Sequence, residues 1–535
     1  MKNIINIINF IRAVEPRPGR NIDMQLPMRE QIRLLRENNL RGTFLLQYDT
    51  LTDPSFDELI DDAATFCEIG LWLEIVQPQV EAAGLEWKGR YPWDWYNDVG
   101  FLIGYEPDQR FKLIDVAMER FKERFGKYPD SVGSWHIDAV SLKYLDDKYH
   151  ISASCNCRDQ VGTDGYTMQG GYYNQAYYPS VNNMFCPAST KENQINVPVF
   201  RMLGSDPVLA YDYQVFGYGY PYCPTLEPAQ LARFSDWTDW FMDTLFTHSH
   251  GLCFQYTQAG QENSFGWAKM KAGLEYQLPF IAKMADEGKA CVMTLGESGR
   301  WFKENFDMTP PATVVSMGAW KRPDLRSIWY CSRTYRINLI MDSGVVRLRD
   351  MYLFNELYRE HYINKRCDTH ACEFRNLPVM DGAIYSNPSK RITAGIYFTE
   401  NGQNIIWDDM IYEEISNNVA KVKLISDKGT LVVLLNETFI EISADFEDLA
   451  LVPVYDTENV FGKKNEGDKF ANENNSKTSL SYIEKAEVQN RDVTFKMNGF
   501  DYGIKVTQGV LGKDFTVKSE NKKIKLITFN SNCTY

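Results

Sequence analysis

The sequence predicts an α/β protein in two parts: an irregular parallel β/α barrel of seven or eight strands over residues 1–306, then an antiparallel β-sandwich-like domain over 307–535. Three observations carry this. Up to about Phe306, short β-branched or apolar runs alternate with amphipathic segments, the pattern of parallel strands joined by crossover helices. Beyond Pro311, runs such as "GVVRLRDMYLF" and "GTLVVLLNETFIEIS" follow one another with Gly, Asn and Asp turns. At 535 residues, the chain also exceeds the size at which a single core stops growing.

Strands are expected near 4–12, 42–48, 68–76, 130–138, 149–157, 197–204, 251–257 and 290–296. After the first, Met28, Ile32 and Leu35 line one face of a helix before "RGTFLLQYD" opens the second strand. Between the third and fourth, Ile114, Met118, Phe121 and Phe125 recur at helical spacing, and Gly126 with Pro129 supplies the stop. In the second part, the run "DTENVFGKKNEGDKFANENNSKTS" is polar and poor in β-branched residues, which predicts a mobile loop over 456–480.

The balance of 57 basic and 71 acidic residues gives a net charge of −14, which opposes binding to nucleic acid or anionic membrane and favours a neutral partner. Eleven cysteines without regular spacing read as reduced thiols, so a cytoplasmic setting is expected. The N-terminal apolar run has no small-residue cleavage site and reads as a first strand, although a leader already removed would leave no trace. No run approaches the roughly eighteen apolar residues of a membrane helix. Phosphate-binding, serine-elbow and dinucleotide motifs are missing, so no cofactor is expected. A homo-oligomer is left open.

In parallel barrels, the loops after strand C-termini build the active site. The loops after 68–76, 149–157 and 197–204 are rich in Gly, Trp and Tyr, flat rings with a polar edge that suit a sugar face; Trp93 and Tyr173 are the stacking candidates. Plain packing of a barrel mouth is the competing reading. Carboxylates recur at the same end: Glu15, Asp49, Glu74, Asp138, Asp159, Asp206, Glu262 and Glu297, with Arg12, Arg158 and Arg201 in register as partners. Glycoside hydrolysis uses two carboxylates. Asp138, in "SVGSWHID", is the first choice, and Glu262, in "QENSFGW" beside Gln261, Asn263 and Trp267, the second. Glu297, in "TLGESGRWFK", is the competing candidate and an expected substrate contact, although Arg300 and the adjoining helix start suggest a cap or ion pair for it; Glu74 is a further candidate. Trp135, His136, Arg158, Asp159 and Trp267 complete the expected substrate contacts, with a carbohydrate as partner.

The order of "LLRENNLRGTFLLQYD", "CEIGLWLEI" and "YPDSVGSW" resembles the superfamily of NodB-like polysaccharide deacetylases and glycoside hydrolase families 57 and 38 over roughly residues 1–306. The resemblance implies an irregular β/α barrel acting on carbohydrate. In the deacetylases, paired aspartates on the first strand and a His-x-x-x-His segment on the third hold a divalent metal; this chain has "RAVEPR" and "EIGLWLEI" there. What remains is similar to the nucleophile and acid of family 57, at Asp138 and Glu262. A glycoside hydrolase is therefore the expected activity. The alternatives are a deacetylase with a departed metal site around His136 and Asp138, and a non-catalytic sugar-binding protein. Two further motifs are set aside: "THSHG", with His248 and His250 at the wrong end of its strand, and His361, Cys367, His370 and Cys372, whose spacing fits no standard zinc finger.

Overall fold

The computed structural model describes residues 3–163, 165–202, 206–209, 211, 235–247, 251–461 and 482–529. Eight short parallel strands form the main sheet of the first part: β1 (Ile4–Ile11), β2 (Thr43–Leu46), β3 (Glu68–Trp72), β4 (Ser131–Gly133), β5 (Ala153–Cys157), β6 (Val199–Met202), β7 (Tyr256–Ala259) and β8 (Cys291–Met293), with Ala176–Tyr177 added antiparallel at the sheet edge on β6. They pair in the order β7-β1-β2-β3-β4-β5-β6, each ladder parallel. β8 runs along the first half of β1, Ile4 opposite Cys291, and β2 along the second half, Ile8 opposite Thr43. The sheet curls until β7 lies beside β6. Among the described residues no ladder joins those two, so this is a curled parallel sheet rather than a hydrogen-bonded closed barrel.

The sequence of β1, "IINIINFI", is apolar on both faces because both are covered. Ile4, Ile8 and Phe10 point inward with Leu45, Trp72, Cys155, Phe200 and Tyr256. Ile5, Ile7 and Ile11 pack with the outer layer. That layer includes α1 (Gln25–Glu37), which buries Met28, Ile32 and Leu35. It also includes α2 (Pro107–Phe125), which opens with a capping box between Glu106 and Gln109 and ends at Gly126, φ 72°.

The strands are shorter than the apolar runs that announce them, and the seventh is displaced: expected over 251–257, it runs Tyr256–Ala259. The run 130–138 is strand only over Ser131–Gly133; its last residues form a loop that caps α3 (Ala139–Tyr144). Chain that leaves the sheet early at its C-terminal end is free to carry side chains into the mouth.

Beyond Ala312 the architecture is antiparallel, in one sheet of ten strands and another of eight. Ile396, Leu451, Phe495 and Leu526, drawn from both sheets, face one apolar interior. The two parts of the chain interlock: Cys372–Arg375 pairs in parallel with Tyr166–Gln169, a strand from the long loop after β5. Of the polar run, Thr457–Phe461 is a short helix, and 462–481 lies outside the described residues. Among the described residues, no helix is long and apolar enough to cross a membrane.

β7 lies against β1 through Gly260, φ 96°. A Cβ there would sit 2.2 Å from the Ile8 carbonyl oxygen and 2.9 Å from the Ile8 nitrogen. Backbone atoms cannot swing aside, so Gly260→Ala is expected to destabilise the fold by about 1–3 kcal/mol, read as a lower urea midpoint.

Candidate active site

Because β7, β1, β2 and β3 are neighbours, their C-terminal ends bring together residues far apart in sequence: Glu262, then Arg12 and Glu15, then Asp49, then Glu74. Arg12 is the centre. Its guanidinium grips Glu74 in a fork, Nε to Oε2 at 2.8 Å and Nη2 to Oε1 at 2.9 Å. Nη1 donates to Glu262 Oε2 at 2.7 Å and to Ser264 Oγ at 2.9 Å. Asn263 holds the Arg12 backbone as a strand would, accepting from its N–H at 2.9 Å and donating to its carbonyl at 2.8 Å. Trp135 Nε1 donates to Glu74 Oε1 at 2.8 Å. Beneath lies an aromatic floor, with Phe10 and Trp72 centroids 4.3 Å apart and Trp72 meeting Trp135 edge-on at 5.2 Å.

Arg12, Glu74 and Glu262 are all buried. Burial works against the Arg12 charge, but Glu262 and Glu74 outweigh it and hold the guanidinium above its ordinary range. Burial raises the Glu74 carboxyl above its usual value; Arg12 opposes that and Glu262 adds to it. Glu15 is held below the carboxylate range, its burial outweighed by Arg17, which donates to it at 2.7 Å.

Asp49 differs from the other acids. It sits in the short helix Tyr48–Thr52 that follows β2, and its Oδ1 accepts the Thr50 N–H at 2.6 Å. Its Oδ2 is buried without a hydrogen bond. Burial lifts the carboxyl to about 6, against the pull of nearby N–H groups at Ala13 and Thr50 and the charge of Arg12. A buried acid that can exchange a proton near neutrality, beside ion-paired carboxylates, is suited to general acid–base chemistry.

The remaining expected residues have other employment. Asp138 is not part of the cluster and is not brought together with Glu262. It N-caps α3, accepting from Ser141 N–H at 3.0 Å and Ser141 Oγ at 2.6 Å, and pairs with Arg110 at 2.9 Å, both side chains fully buried. The physical reason is the early end of β4: Trp135 turns inward, while His136 and Asp138 turn to the helix layer. His136 stacks on Phe101 at 4.4 Å, and burial pushes its imidazole down to about 3. Asp159 lies between Arg201 and Arg336. Arg158 is half-buried, its Nη1 without an acceptor. The rings chosen for stacking already have partners: Arg12 covers Trp93 at 4.4 Å, and Tyr173 lies on Trp329 at 3.8 Å with 5° between the planes. Trp267 is half-buried at the start of α4 (Trp267–Asp286). Glu297, expected as a substrate contact or else a cap paired with Arg300, closes the capping box of α5 (Leu295–Asn305) and pairs with Arg41 at 2.7 Å, while Arg300 pairs with Asp130.

His248 and His250 lie outside the described residues. Cys367 turns to the carbonyls of Thr369 and Ala371, Cys372 to Asn97, and His370 to Asp98. Among the described residues, no group of three His, Cys, Asp or Glu is arranged to hold a metal ion. Where the resemblance implies metal ligands, at the ends of β1 and β3, the Arg12 guanidinium already stands between Glu74 and Glu262. A divalent cation does not fit beside that charge.

No protein-family model and no curated protein matches the chain. Among solved structures, it is similar to a glycoside hydrolase/deacetylase candidate from Parabacteroides distasonis, at TM-score 0.50 and 13% identity, over 70% of this chain and 91% of that one. The fold is shared. A polysaccharide deacetylase candidate from Mycobacterium smegmatis aligns at TM-score 0.34 and 12% identity, over 57% of this chain and 91% of that one. A family 4 acetyl xylan esterase from Clostridium thermocellum aligns at 0.26 and 9%, over 56% and 92%. The fold likeness rests on the first of these, and it bears out the kind of fold that the order of the sequence implied.

Two outcomes follow from the cluster. Arg12→Met leaves two buried carboxylates without their cation and is expected to cost about 3–5 kcal/mol in denaturant unfolding. Glu262→Gln, which keeps the shape, should cost less. The second outcome concerns pH. Folded Asp49 keeps its proton up to about pH 6, whereas its ordinary value is 3.8. Between those values the native state binds the extra proton, so this group's contribution falls as pH rises through the window and is level above it. Asp49→Asn should therefore gain stability relative to the parent between pH 4 and 6, by up to about 3 kcal/mol, in urea midpoints measured across that range.

Proposed function

We propose that the chain is a hydrolase acting on a carbohydrate, with its chemistry at the Arg12 cluster. The observation that carries this is the gathering of Glu15, Asp49, Glu74 and Glu262 at the ends of four adjacent strands, with a titratable, unpartnered oxygen on Asp49. In this reading Asp49 delivers or takes the proton at the scissile bond. Glu262, oriented by Arg12 and by the Ser264 hydroxyl at 2.6 Å, is the second carboxylate. Arg12, Glu74 and Trp135 position it and keep the floor of the site dry.

Two bonds suit such a site. The name given to the similar Parabacteroides structure couples glycoside hydrolase with deacetylase, which keeps removal of an acyl group from a sugar beside glycosidic cleavage. The carboxylate cluster, with a guanidinium where metal ligands were implied, favours a glycosidic bond, whose cleavage needs an acid and a second carboxylate and no metal.

Aryl glycosides and acetylated aryl sugars, assayed side by side with product analysis, separate the two. Turnover of one set is expected, with Asp49→Asn and Glu262→Gln each lowering kcat by about 10²-fold or more. The rate should change near pH 6 in the parent and lose that limb in Asp49→Asn. Parental rates in both variants would remove the chemistry from this cluster.

A further inference from the structure

At the opposite end of β7 from the acids, a second cleft opens between the parallel sheet and the antiparallel part, with a volume of about 1140 Å³. That exceeds the roughly 300–1,000 Å³ of ordinary small-ligand pockets and leaves room for an extended ligand. One wall is aromatic: Trp301 on α5 meets Phe254 and Phe306 edge to face, at 5.1 and 5.8 Å. Trp301 is only half-buried, and it lines the cleft. The facing rim is the exposed end of the strand Asp409–Ser416, which carries Glu414, and the turn that leads to Val419–Ser426, which carries Asn417; Asn305 lines the cleft at the end of α5, its amide donating to the Trp301 carbonyl at 2.7 Å. No lysine, arginine or histidine lines the cleft among the described residues.

We infer that this cleft is a second carbohydrate site that holds a neutral oligosaccharide away from the acid cluster. An aromatic wall offers the flat apolar surface that the C–H face of a sugar ring covers, and carboxamides and a carboxylate opposite it accept and donate to hydroxyls. An anionic ligand would meet Glu414 with no cation to offset it, in a chain of net charge −14. The choice of ligand class rests on the carbohydrate reading above, but binding here is measured without turnover.

The test is calorimetric titration of the full chain with cellohexaose, maltohexaose and xylohexaose as probes. At least one should bind, and its affinity should drop at least tenfold in Trp301→Ala and in Asn417→Arg, whose exposed side chain would fill the rim without touching the core. Binding should persist in Asp49→Asn, and the rate on a small aryl substrate should be unchanged in Asn417→Arg. The inference is overturned if none of the probes binds, as for a cleft that takes a peptide or only water. It is also overturned if binding survives both cleft variants, or is lost in Asp49→Asn alone. Binding without hydrolysis of any aryl substrate would leave the cleft standing and defeat the proposed function instead.

Discussion

The site depends on one buried cation. Arg12 leaves the end of β1 and is held by Glu74 from β3 and Glu262 from beyond β7, so a single guanidinium ties together strand ends separated by 62 and 250 positions. Its backbone is fixed by Asn263, its face is covered by Trp93, and its charge acts on Asp49. Such an arrangement is a poor way to add stability, because desolvating three charged groups consumes most of what their attraction returns. Its effect is to define geometry: two carboxylates are held at set angles over an aromatic floor, and a third, on Asp49, is left with an oxygen uncommitted. Preorganisation of this kind is what an active site needs from its scaffold.

The same principle explains why so many of the strand-end acids are not in the site. Asp159 lies between Arg201 and Arg336, and Arg336 pairs in turn with Asp350 on the antiparallel sheet, where burial lifts the Asp350 carboxyl to about 6. Asp138 is locked to Arg110, whose Nη1 also donates to the carbonyl of Tyr362. These buried ion pairs lie where the two parts of the chain meet. The antiparallel part is therefore woven into the first one, through Cys372–Arg375 on Tyr166–Gln169 and through these charges. Loops whose aromatic content suggested an open sugar platform are partly the packing of that junction, as Tyr173 on Trp329 shows.

Periodicity was enough to place the parallel strands, the seventh of them displaced along the chain, the helix that ends at Gly126 and the change to antiparallel structure beyond Ala312, because each depends on local alternation, capping and turn residues. It also placed Glu15, Asp49, Glu74 and Glu262 at the ends of strands, but on the same footing as Asp138 and Asp159, which turn to arginine partners instead. Arg12 was visible only as a neighbour in register, and the clue to its central place was the amide and hydroxyl pair in "ENS", now seen bonded to it through Asn263 and Ser264.

Which acids share a site could not be read from the chain, because that is set by strand order around the curl and by which way each loop turns on leaving it. The sequence by itself determined that carboxylates would collect at one end of a parallel sheet, by the energetics of strands buried on both faces. Only the tertiary structure decided that β7, β1, β2 and β3 stand side by side, and that β4 stops at Gly133. The first brought Glu262 to Glu74 through Arg12; the second sent Asp138 to the helix layer, where Arg110 and the α3 N–H groups could satisfy a charge that the barrel interior would have left unpaired.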